Sequence, residues 1–114
     1  MTDEQRKALT LYLGECWHNV QQGACGVFSC VNCGYTPNEI QDNYNRTFDT
    51  DADMTTLFRR LVITGDWHSH SNKNSLWKYS YDTWEKTTKE QDYVAWLFYD
   101  PERFCCLVAE WWVK

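Results

Sequence analysis

Basic residues are scarce. The chain carries 11 Lys and Arg against 16 Asp and Glu, a formal charge of -5, and residues 15 to 45 contain no Lys or Arg at all. An acidic surface repels phosphate backbones and anionic headgroups, so extended nucleic acid and charged membranes are disfavoured as partners. Long apolar runs are also missing. The most apolar stretches, "YVAWLFY" and "FCCLVAEWWV", are too short to span a bilayer. The N-terminus "MTDEQRKALTLYLGE" has no apolar signal-peptide segment. There is no internal repeat, low-complexity tract or linker. These absences predict a cytoplasmic protein with no membrane segment, a compartment where structural disulfides are rare.

What is present fits a single domain over residues 1–114. Aromatic residues make up 17% of the chain, with seven Trp, and each buried ring removes a large area from water. Thr2 with Gln5 fits a capping box, and Ala8, Leu9, Tyr12 and Leu13 follow at helical spacing up to Gly14. Residues 14–46 read as an irregular cysteine-rich lobe with at most a short hairpin near Phe28 and Tyr35, and "PNEIQDNYNR" reads as a loop. A helix starts at Thr50 or Asp51, carries Met54, Leu57, Phe58, Leu61 and Val62 on one face, and closes at Thr64-Gly65. Asp49, Asp51 and Asp53 are spaced like a calcium loop. Met54 and Arg60 stand where that loop needs Gly and Glu, which excludes it. Leu76 to Gln91 predicts a third helix, "DYVAWLFYD" a strand, and Asp100-Pro101 the start of a last helix buried through Phe104, Leu107, Val108, Trp111 and Trp112. The expected fold is α+β: a predominantly helical body over 47–114, a short sheet and a small zinc-binding lobe.

Four of the six cysteines fall in that lobe. Cys16-x-His18 is followed by Cys30-x-x-Cys33-Gly34. Zinc takes four thiolate or imidazole ligands in a tetrahedron, and three Cys with one His make a closed structural site. A Cys-x-x-Cys turn points both sulfurs at one ion, and along an extended strand Cys16 and His18 face the same side. Cys25 competes with Cys16 or His18 for a ligand position. The alternatives are reduced buried thiols or a redox dithiol, although no strand-to-helix context of the redox type follows Cys33. The lobe is too polar to fold on its own apolar burial, and zinc binding can replace the missing core. Of Cys105 and Cys106, at least one is expected in the core.

A second group lies in "GDWHSHSNKNSLWKYSYD". His68 and His70, with Asp82, resemble the metal-binding run of JAMM-type isopeptidases, which implies a zinc-activated water. The spacing to Asp82 is one residue long, Ser80 is misplaced, and no upstream Glu base is evident beyond Glu15. The same region carries Trp67, Trp77, Tyr79, Tyr81 and Trp84, with Lys73, Lys78 and Lys86 nearby. With His68 and His70, these rings form the expected partner-binding surface, since exposed aromatics anchor interfaces or stack on bases.

Four segments carry a wider resemblance: "LGECWH" (13–18), "CVNCG" (30–34), "RTFDTDADMTTLFRRLVITGDW" (46–67) and "WLFYDPERFCCLVAEWW" (96–112). Together they resemble a family of small phage and prophage proteins with an N-terminal zinc-knuckle-like segment and a C-terminal half similar to the phage ABA sandwich domain. The resemblance implies a knuckle of Cys16, His18, Cys30 and Cys33 and no catalytic residue. It implies a counter-defence role, by binding a host defence protein or by sequestering a small nucleotide signal. A homodimer is compatible with the exposed aromatics. A knuckle that binds nucleic acid is the third expectation, and the lack of basic residues around it argues against that role.

Overall fold

The computed structural model describes residues 1–23, 25–36, 45–70, 73–87 and 92–113. It is α+β and mostly helical. Helix α1 spans Asp3–Tyr12, strands β1 and β2 span Val20–Gln22 and Phe28–Cys30, and helices α2 to α5 span Asp51–Thr64, Leu76–Thr87, Tyr93–Tyr99 and Pro101–Val113. The strands form an antiparallel pair with Val20 opposite Cys30. No helix among the described residues is long and apolar enough to cross a membrane.

The helix ends follow from local chemistry. Thr2 and Gln5 close a reciprocal capping box on α1. Thr50 accepts from the Asp53 N–H at the start of α2, and Gly65 ends that helix in the left-handed region at φ 83, where a side chain would be strained. Pro101 opens α5, and the preceding Asp100 accepts from the Glu102 N–H.

Helix α5 is the hub. It packs against α1, α2, α3 and α4. Phe104, Cys105, Leu107, Val108, Ala109 and Trp111 are all buried on it, too many positions for a single stripe, as expected of a helix surrounded by others. Leu9, Tyr12, Phe48, Leu57, Leu61, Leu76, Trp96 and Leu97 complete the core. Cys105 takes a core position, and burial pushes its thiol up to about 12.

Three expectations need correction. "DYVAWLFYD" is the helix α4, not a strand. Asp92 caps it by accepting from the Ala95 N–H, and Trp96 and Leu97 are buried three and four residues after Tyr93. The hairpin pairs Phe28 with Gln22, and Tyr35 lies outside it. Val62 is exposed, not part of the inner face of α2. The loop expected over 37–46 and the end of the third helix expected over 88–91 lie largely outside the described residues.

The lobe stands apart from the body. Among the described residues, its two strands contact each other and no helix. A rounded chain of this length has a radius of gyration near 13 Å, whereas this one has 16.6 Å and extents of 56 × 29 × 21 Å. Among the described residues from 14 to 46, Cys30 alone is buried, and it lies outside the hydrophobic core.

Candidate metal centre

Two pieces of backbone bring the four predicted ligands together. Residues 15–19 run without strand pairing, so Cys16 and His18 are not on a ladder as the sequence suggests. They are placed by other bonds. The Asn45 side chain accepts from the His18 N–H at 2.7 Å and donates to the His18 carbonyl at 3.0 Å. The His18 ring stacks on Tyr35 at 4.5 Å. The second piece is the turn after β2. The Gly34 N–H donates to the Cys30 carbonyl at 2.9 Å and the Cys30 N–H to the Tyr35 carbonyl at 2.7 Å. Gly34 sits at φ 78, which lets the chain reverse immediately after Cys33.

The result is a compact quartet. Cys16 Sγ lies 3.9 Å from Cys30 Sγ, and Cys33 Sγ lies 3.4 Å from His18 Nδ1. All four ligand atoms lie within 4.8 Å of one another. A tetrahedral zinc with ordinary bond lengths sets sulfur atoms roughly 3.8 Å apart and sulfur and nitrogen roughly 3.5 Å apart. The donor set and its spacing fit one such ion, so the cluster can hold a metal. Cys25 is exposed in the hairpin turn and is not part of the group.

The surroundings favour a thiolate at Cys30. The backbone N–H groups of Asn19 and Asn32 each donate to its sulfur at 3.4 Å. Burial pushes this thiol up, but hydrogen bonds from His18 and from the backbone of Asn32, Asn19 and Cys33 outweigh it and bring it down to about 6. Cys16 moves the other way: burial, then the Cys33 and Cys30 sulfurs beside it, push it up to about 11. Three sulfurs this close cannot all hold charge unaided, which is the condition a bound cation relieves.

A salt-bridge network joins the lobe to the body, and no local sequence pattern marks it. Arg46 grips Glu15 through two hydrogen bonds of 2.6 and 2.9 Å and Asp53 through one of 2.7 Å. Asp53 also accepts from the Phe48 N–H. Phe48 is fully buried at φ 58, a rare conformation for a bulky residue, held by its ring on one side and Asp53 on the other. The hydrogen bonds from Arg46 hold the Glu15 carboxyl below the usual range, against the effect of burial.

The second predicted group does not converge. Among the described residues, the Cys16, His18, Cys30 and Cys33 cluster is the one set of three or more metal-ligating side chains. His68 is exposed, His70 packs edge-on against Trp111 and Trp112, and Asp82 pairs with Lys78. Glu15 is engaged by Arg46. The aromatic group divides. Trp67, Tyr79 and Trp84 pack against the core as partly buried rings. Trp77 is 46% exposed and stacks on Tyr81 at 5.6 Å and 14°. Lys73 turns to the C-terminus of α5, where its ammonium donates to the Trp111 and Trp112 carbonyls.

No known protein family, curated protein or solved structure matches this chain.

Proposed function

We propose that the chain is a zinc-stabilised binding protein that carries out no chemistry of its own. The observation that carries this reading is the closed quartet, with four side-chain ligand atoms within 4.8 Å and no fourth position left for water or substrate. Thiolate with imidazole in a tetrahedral arrangement suits zinc above the harder cations. The metal then serves as the core of a lobe that has none, with a contribution on the order of 10 kcal/mol.

The binding role rests on α3, where the 46% exposed Trp77 stacks on Tyr81. Such a platform suits a nucleobase or an apolar protein side chain. Action against a host defence protein or a nucleotide signal rests on the phage resemblance of the four segments alone.

Elemental analysis of the purified chain should give about one zinc per molecule. Cys30→Ala should lose it, and a chelator should abolish hydrogen-exchange protection at the Cys30 amide while the helical signal of the body survives. Two zinc ions, or one that survives Cys30→Ala, would instead support a hydrolase at His68 and His70. A panel of cyclic and linear nucleotides then separates the two partner classes: a raised melting temperature, lost in Trp77→Ala, marks a nucleotide.

A further inference from the structure

The quartet is asymmetric in its access to solvent. Cys33 is exposed, Cys16 is half-buried, and Cys30 is 2% exposed with two backbone N–H groups on its sulfur. Oxidants reach sulfur by exposure and nucleophilicity, so Cys33 is the point of entry. Its partner must be a second sulfur within reach. Cys16 shares the cluster with it, all ligand atoms lying within 4.8 Å, and is free of the backbone N–H bonds that hold Cys30. The two residues belong to different pieces of backbone, so a bond between them keeps the lobe tethered while breaking the tetrahedron.

We infer that the quartet is a peroxide-sensitive release site, in which Cys33 and Cys16 form a disulfide and the metal leaves. The inference rests on the zinc reading above. Cys33 Sγ attacks one oxygen of a hydroperoxide and displaces hydroxide (alkoxide from an organic peroxide), giving a sulfenic acid. Cys16 Sγ attacks that sulfur, the S–S bond forms, the S–O bond breaks and a second hydroxide departs. Each leaving anion takes up a proton from the acid form of the buffer, giving water or an alcohol. Two sulfurs have lost two electrons and the peroxide has gained them. Only Cys30 and His18 then remain as ligands, too few to hold zinc tightly.

The lobe must respond, because it has no apolar core to fall back on. Among the described residues from 14 to 46, its one buried side chain is a ligand. Release therefore frees β1, β2 and the 30–34 turn while the hub around α5 stays intact.

The test uses the zinc-loaded full chain and hydrogen peroxide. A chromophoric chelator follows zinc release, and peptide mapping after alkylation locates the lost thiols. The expected result is about one zinc released per two thiols lost, with a Cys16–Cys33 crosslink, reversed by dithiothreitol and added zinc. Cys25→Ser and C106S should release zinc at the unchanged rate. Loss of thiols only at Cys25 or Cys106 with zinc retained overturns the switch and leaves the zinc reading standing. A Cys30–Cys33 crosslink overturns the assigned pairing. A chain that holds no zinc before peroxide is added overturns the zinc reading itself.

Discussion

Single side chains position the cluster in the lobe. Asn45 is the clearest case. It contributes no ligand, yet its amide holds both main-chain groups of His18. Partners that orient a ligand typically matter about 10- to 100-fold in metal affinity. Asn45→Ala should weaken zinc binding about tenfold in a competition titration against a chromophoric chelator, while Asn32→Ala, whose side chain bonds only the Trp17 carbonyl, should change little. The clustering of Cys16, His18, Cys30 and Cys33 was legible, because thiol and imidazole at that spacing suit a single metal ion. Asn45 and Arg46 were not, since an amide or a guanidinium in a polar stretch fits many roles. The choice between Cys16 and Cys25 needed the fold, because both precede Cys30 at workable distances and only the path of the chain removes Cys25.

At the level of elements, capping chemistry was the dependable guide. The caps at Thr2, Thr50 and Asp100-Pro101 each placed a helix start from local sequence. The misread element was α4, and its composition explains the error. Tyr, Val, Trp and Phe favour strands, and Val94 and Tyr99 are exposed, so the run lacks a polar face. Tertiary packing overrides that preference: Leu97 is buried, and α4 contacts both α3 and α5. Leu97→Ala should cost about 2–5 kcal/mol in a denaturant titration followed by far-ultraviolet dichroism. The exposed Tyr99→Ala should cost well under 1 kcal/mol, or roughly nothing. Equal effects at both positions would argue for a strand-like arrangement, in which residues two apart share one covered face.

Over the whole molecule, two principles of stabilisation sit side by side. The body is held by apolar burial around α5, and the lobe carries the Cys16, His18, Cys30 and Cys33 cluster and the Arg46 bridges. They should separate under pH as well as under chelation. Tyr12 donates to Asp66 at 2.7 Å beside Thr64, tying α1 to the end of α2. Burial and the nearby Asp66 raise its pKa above the ordinary value of 10.0. Its folded pKa exceeds its unfolded one, so its contribution is complete below pH 10.0 and is lost as pH rises beyond that. Body stability should fall in that alkaline window, and Tyr12→Phe should flatten the fall while costing about 1 kcal/mol at neutral pH. The sequence by itself determined the starts of α1, α2, α3 and α5, the grouping of thiol and imidazole in the lobe and the lobe's poverty of apolar residues, because these are local properties of residue type and spacing. Only the tertiary structure decided that α4 is a helix, that Cys25 stands outside the quartet, that Arg46 joins lobe to body and that the second histidine pair stays apart. Each of those depends on which distant side chains the folded chain brings within a few ångströms, and no local pattern encodes that distance.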